Sequence, residues 1–204
     1  MRDLVNDGLR RLPAATVYIV AAIWAAWEFY QAATQQAEYL VEPINVLERT
    51  YGEAALYLLV AGLAITPLRK HAGVNLLKFR RAIGVTAFFL VLAHFLVWAI
   101  LDVQSLARVW ADIVKRPYVT VGMAAFLLLI PLALTSNNRA VRRLGALRWR
   151  NLHKLTYPAV VLGGLHYLWL VKGFQLEPIL WLAAILGLLA LRIRWQSRQK
   201  PARA

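Results

Sequence analysis

The 204-residue chain contains no cysteine. That excludes disulfides, thiolate-held iron–sulfur clusters, haem attachment through a Cys-x-x-Cys-His motif and any cysteine nucleophile. Met1 and Met123 are the only methionines, which makes an axial thioether a poor prospect. Acidic residues are scarce, 10 against 24 Lys and Arg, for a formal net charge of +14. Histidine is confined to His71, His94, His153 and His166. No Gly-x-Gly-x-x-Gly run occurs, so nothing points to a dinucleotide-driven reductase contained in one chain. If a metal cofactor is bound, histidine must hold most of it.

What the chain has in excess is apolar length. It is 60% hydrophobic and 17% charged, with a mean hydropathy of +0.53, against about 45–50% and about 25% in a soluble domain. Long apolar runs separated by short basic stretches predict a polytopic helical membrane protein. A charge of +14 would suggest nucleic acid in a soluble protein, but here the basic residues lie in the connections, where membrane topology accounts for them.

The spans expected are 14–33, 53–67, 82–101, 117–135, 150–172 and 179–191 with its flanks. The second is short for a full crossing, which implies a tilt or an earlier start. Between the third and fourth, Leu106, Val109, Trp110 and Ile113 fall at helical spacing and predict an amphipathic helix on the membrane face or across the bundle end. Arg10, Arg11 and Pro13 precede the first apolar run without a cleavage pattern, so that helix is expected to be retained. With six spans, 19 of the 24 Lys and Arg fall on the side of the termini and five on the other. The expected fold is therefore all-α, a single domain over 1–204 built as a six-helix transmembrane bundle with both termini cytoplasmic. No repeat or low-complexity segment is visible.

An intramembrane histidine is a functional hypothesis by default. His94 lies about 20 Å beyond Arg81, and His166 about 24 Å beyond Arg150, at 1.5 Å per residue. Their spans run in the same direction, so the two reach one level in the outer half of the membrane. Two imidazoles from facing helices at one level suit bis-histidine ligation of haem b. Gly163 and Gly164, just before His166, offer a flat macrocycle close approach; Gly84 and Ala87 lie on the third span, with Gly84 about 80° from His94 on an ideal helix. The structural alternative is that each histidine bonds a neighbouring helix.

His153 sits near the cytoplasmic face, about 20 Å from His166 and some 140° away in azimuth on a straight helix. Pro158 lies between them, where a kink would restore the phase. At its depth the third span offers Arg80 and Arg81 rather than histidine. The choices for His153 are a second haem with an unusual partner, a flavin or quinone site, or a plain interfacial histidine. Arg80 and Arg81 suit a flavin phosphate or haem propionates, or serve topology alone. His71, in a basic loop, is expected to be solvated. Aromatic residues near the outer span ends read mainly as an interfacial belt, with Tyr167 and Trp169 also beside His166.

The order and spacing of several short motifs carry a resemblance that covers nearly the whole chain. They are Ile65-Thr-Pro-Leu-Arg69; Arg80-Arg-Ala-Ile-Gly84 followed by His94; Arg116-Pro-Tyr-Val-Thr-Val-Gly122; Leu134-Thr-Ser136; Leu152-His153 with Tyr157; and His166-Tyr-Leu-Trp169 before Val171-Lys172. The chain resembles the haem-binding membrane subunits of the bacterial periplasmic methionine sulfoxide reductase system (MsrQ/YedZ type), within the ferric-reductase-like transmembrane superfamily. The resemblance implies an inner-membrane electron conduit with haem b, one or two, and FMN. Its donor would be a cytoplasmic flavin reductase or the quinone pool, and its acceptor a periplasmic molybdopterin-containing subunit that reduces methionine sulfoxide in proteins. His94, His153 and His166 match the family's functional histidines, whereas the superfamily often has a fourth that is missing here. The competing readings are a histidine-dependent transporter or proton pathway and a stand-alone ferric reductase.

Overall fold

The computed structural model describes residues 2–171 and 173–198. No strand occurs among them, and the order of elements follows the apolar runs. The helices are α1 (Arg2–Arg11), α2 (Ala15–Ala33), α3 (Pro43–Pro67), α4 (Arg80–Leu96), α5 (Leu106–Lys115), α6 (Pro117–Leu134), α7 (Asn138–Leu144), α8 (Ala146–Leu152), α9 (Thr156–Leu170) and α10 (Leu176–Arg198). Wide π turns prolong α3 to Ala72 and α4 to Asp102. Counting such extensions, three stretches among the described residues are long and apolar enough to cross a bilayer: Pro43–Ala72, Leu77–Asp102 and Pro117–Leu134. The chain is a membrane protein.

Proline and glycine set most of the boundaries. Pro43 opens α3 and Pro117 opens α6, each at a position where the missing N–H was unpaired anyway. The second apolar segment thus starts at Pro43 instead of Glu53, which gives it the length it lacked. The π turn after α3 closes on Gly73 at φ 73°, a left-handed conformation that glycine adopts without a Cβ clash. The basic connection after α6 is folded, not loose. Asn137 caps α7 by accepting from the Ala140 N–H at 2.8 Å, and Gly145 separates α7 from α8.

The segment expected to cross as one helix over 150–172 is broken. A 3-10 turn at His153–Leu155 divides α8 from α9, and Lys172 lies outside the described residues. Pro158 is therefore not a mid-helix kink. It stands in the first turn of α9, where a proline costs no intrahelical hydrogen bond. His153 and His166 do not share one continuous helix.

Packing pairs α3 with α4 and α6 with α9, while α2 lies against α3 and α4, and α10 against α3 and α9. One core joins Leu56, Leu59 and Leu63 of α3 to Ala87 of α4, Leu129 of α6, Val160 of α9 and Ile185 of α10. A second holds α2 to the start of α3 through Tyr39, Leu47 and Tyr51. Since lipid is as apolar as leucine, close packing and interhelical hydrogen bonds must hold such helices together. Tyr51 donates to the Ala25 carbonyl at 2.6 Å, and the fully buried Tyr39 donates to Glu28 at 2.7 Å.

Gly164 belongs to this packing. A Cβ there would lie 2.9 Å from Ile185 Cδ1 and 3.2 Å from Leu182 Cδ1 of α10. Gly84, by contrast, has nothing near it. Neither glycine forms the cradle for a macrocycle that the sequence suggested. Gly164→Val is expected to force α9 from α10 and destabilise the fold by about 1–3 kcal/mol, measured as a lower melting temperature in detergent.

Candidate functional site

Two short segments of helix backbone do more than hold their helices. The Glu48 carbonyl on α3 accepts a hydrogen bond from His94 Nδ1 of α4 at 2.8 Å. The Tyr118 carbonyl on α6 accepts one from His166 Nδ1 of α9 at 2.7 Å. A carbonyl can only accept, so both imidazoles carry their proton on Nδ1. Each Nε2 is left with its lone pair. Histidines that bind metal are commonly arranged this way, the second nitrogen donating to a carbonyl that orients the ring and raises its basicity.

Four residues beyond each carbonyl stands a glycine, Gly52 and Gly122. In a helix the Cβ of residue i+4 leans back toward the carbonyl of residue i, so only glycine leaves room for a ring to reach it. A Cβ on Gly52 would lie 3.0 Å from His94 Nδ1, and one on Gly122 would lie 2.7 Å from His166 Nδ1. These glycines escaped the sequence reading, although Gly122 closes the Arg116–Gly122 motif. Their signal is that each stands four residues after a carbonyl that a distant histidine uses.

The two rings face one another across a cavity of about 310 Å³, with centroids 6.2 Å apart and planes at 74°. Its lining recurs at a constant offset. On α3 the lining includes 48, 49, 52, 53, 55, 56 and 59; on α6 it includes 118, 119, 122, 123, 125, 126 and 129, each 70 later. On α4 it includes 91, 94, 95 and 98; on α9 it includes 163, 166, 167 and 170, each 72 later. The α3–α4 and α6–α9 pairs thus share one register. Gly52 with Gly122, Ala55 with Ala125, Leu59 with Leu129 and His94 with His166 are the identities at the lining. Four matches scattered over two helix pairs do not read as a repeat in the sequence.

Among the described residues, no group of three or more His, Asp or Glu could hold a metal ion. Two imidazoles alone make a metal site only if the remaining ligands arrive with the metal, as in a porphyrin. The spacing suits that. An imidazole–metal bond of about 2.0–2.1 Å and about 1.1 Å from nitrogen to ring centroid, on both sides, span about 6.3 Å. The walls are apolar or small, from Leu56, Phe95 and Phe126 to Ala55, Ala125 and Gly163. The mouth is polar: Tyr167 donates to Glu53 at 3.0 Å, and Arg49 Nε reaches the same carboxylate at 2.9 Å.

His153 belongs to the opposite end. Its Nε2 meets Thr135 Oγ1 at 3.2 Å, and its ring stacks on Trp149 at 3.9 Å. Trp149 donates to the Thr135 carbonyl at 2.9 Å, and Thr135 Oγ1 also bonds Pro131 O at 2.6 Å. The Leu134-Thr-Ser136 motif is this junction between α6 and α8. Tyr118 and Thr135 bound α6, which puts about 25 Å between its two ends. Arg80 and Arg81, at the start of α4, lie in electrostatic reach of His153. By the shared register, Arg81 is the counterpart of His153. His71 is exposed on the turn after α3.

The chain is similar to known proteins over most of its length. The family profile described as "Ferric reductase like transmembrane component" matches residues 51–164. A protein of Agrobacterium fabrum named "Protein-methionine-sulfoxide reductase heme-binding subunit MsrQ" is 43% identical over 187 residues, 90% of this chain and 86% of its own. Proteins with the same name from Brucella ovis and Brucella canis are 40% identical over 189 residues, 91% of this chain and 84% of theirs.

Replacing Gly122 by Ala is expected to push His166 off the Tyr118 carbonyl and weaken haem retention by about 10–100-fold, the usual effect of losing such a partner. Gly52→Ala, with the wider 3.0 Å approach, is expected to cost less. Haem content per chain after gel filtration reads both.

Proposed function

The chain belongs to the family of MsrQ haem-binding subunits, with its ferric-reductase-like transmembrane component, and from that premise we propose that His94 and His166 hold one haem b between α4 and α9. The observation that carries this is the pair of Nδ1-anchored imidazoles 6.2 Å apart in an apolar cavity. Haem supplies a one-electron carrier. The protein's own part is to fix both Nε2 lone pairs in place, exclude water with Leu56, Phe95 and Phe126, and keep polar groups at the mouth. A proton pathway through these histidines gains no support, because main-chain carbonyls hold both Nδ1 protons.

The proposed topology is six spans, α2, α3, α4, α6, α9 and α10, in the inner membrane with both termini cytoplasmic. The charge asymmetry supports it: eight of the ten acidic residues and only five of the 24 Lys and Arg fall at the His94–His166 end or its loops. Electrons would then travel outward, from a cytoplasmic flavin reductase or quinone to a periplasmic molybdopterin-containing subunit that reduces methionine sulfoxide. At the inner end, His153 with Arg80 and Arg81 is the proposed place for FMN. A single imidazole facing guanidinium groups suits an anionic cofactor better than a second histidine-ligated haem.

His94→Ala and His166→Ala are each expected to remove the Soret band while the protein still inserts and elutes as a folded species. Unchanged haem content in both variants would overturn the ligand assignment.

A further inference from the structure

The inner end holds a charge that nothing in the described fold balances. Arg192 of α10 turns into the bundle, donating to Tyr157 OH at 3.0 Å, the Leu63 carbonyl at 2.8 Å and Thr66 Oγ1 at 3.4 Å. Its guanidinium also lies over the Tyr157 ring, 5.5 Å from the centroid. Every one of these partners is neutral. Arg192 Nε is buried and has no hydrogen-bond partner among the described residues. Arg80 lies in electrostatic reach of both Arg192 and Tyr157, and makes no hydrogen bond among the described residues. Arg80 and Arg81 also lie within reach of His153.

No carboxylate can answer these cations from nearby sequence. Residues 54–101, 113–176 and 178–204 contain no Asp or Glu. On this side the chain has only Asp3 and Asp7, and Asp7 faces Arg10 at 3.4 Å. A guanidinium drawn into a low-dielectric bundle end without a counter-ion is costly. Surface position explains Arg81, which bonds Asn138 at 2.8 Å. It does not explain Arg192, whose side chain points inward from α10.

We infer that this end of the bundle is an anion site, in which Arg192 and Arg80 flank the phosphoryl group of a bound ligand and Tyr157 supplies a further donor. Tyr157 accepts from Arg192, so its own proton remains to give. A phosphomonoester offers three acceptor oxygens and up to two charges, enough for two guanidinium groups and a phenol; a phosphodiester offers two oxygens and one charge, still in bidentate reach of a guanidinium. The group could belong to a soluble phosphomonoester such as a flavin mononucleotide or to the headgroup of an anionic lipid. The inference rests on the inner end being a ligand site, and not on histidine ligation at the outer end.

The test uses the full chain and its Arg192→Gln and Arg80→Gln variants in phosphate-free detergent. FMN and riboflavin are titrated by fluorescence quenching, and melting is compared in phosphatidylglycerol and phosphatidylcholine nanodiscs. FMN binding at least tenfold tighter than riboflavin, with the gap closed in both variants, supports a soluble ligand. Equal flavin binding, with phosphatidylglycerol stabilising only the unsubstituted protein, supports a lipid headgroup. Equal binding of FMN and riboflavin together with equal melting in the anionic and zwitterionic lipids, or variants that behave as the parent, overturns the site. Arg80 is exposed and without a structural bond, so Arg80→Gln remains informative if Arg192→Gln fails to fold. The Soret band is recorded throughout: its absence from the unsubstituted protein would count against the haem reading alone.

Discussion

The structure depends on a backbone carbonyl used twice, once by its own helix and once by a histidine from the helix packed against it. The bond from Nδ1 to the Glu48 or Tyr118 carbonyl contributes little to stability, about 0.5–1.5 kcal/mol for a hydrogen bond of this kind. What it determines is the tautomer, and through it which nitrogen faces the cavity. The requirement propagates outward. The carbonyl is reachable only past a glycine at i+4; the glycine lets the paired helices approach; and the approach brings two rings to 6.2 Å. Gly52 and Gly122 are therefore as much part of the site as the histidines they admit.

That the same solution occurs on α3–α4 and on α6–α9 gives the cavity two matching walls. The correspondence is not complete. Glu53 and Tyr167 form a polar bridge at the mouth, whereas their counterparts Met123 and Phe95 cannot. At the other end, the register puts Arg81 opposite His153. Similar halves thus carry a symmetric site at one end and an asymmetric, cationic one at the other, with carboxylates gathered on the first side and nearly absent from the second. A chain polarised in this manner suits transfer between two different partners on two faces of a membrane.

Hydropathy and the scarcity of histidine made much of this legible in the sequence. Apolar length located the helices, and counting residues from the basic edges set His94 and His166 at one level because a helix rises by a constant amount. The break at His153 was not legible. It arises where Trp149 stacks on the ring and bonds Thr135, a contact between residues that share no periodic pattern. Pro158 was misread for the same reason: a proline inside an apolar run signals a kink unless a helix begins just before it. Nor did the glycines declare themselves, since their meaning lies in a partner 42 or 44 residues away, His94 for Gly52 and His166 for Gly122. Arg192 follows directly on an apolar run in the sequence, and only the fold turns it inward.

The central claim is that one iron is held by both imidazoles. Low-temperature electron paramagnetic resonance of the oxidised, haem-loaded protein tests it most directly. With both rings ligated and their planes at 74°, the account predicts a low-spin ferric signal of the strongly anisotropic kind that crossed imidazole planes produce. A dominant high-spin signal, from iron with only one of the two histidines bound, would contradict it.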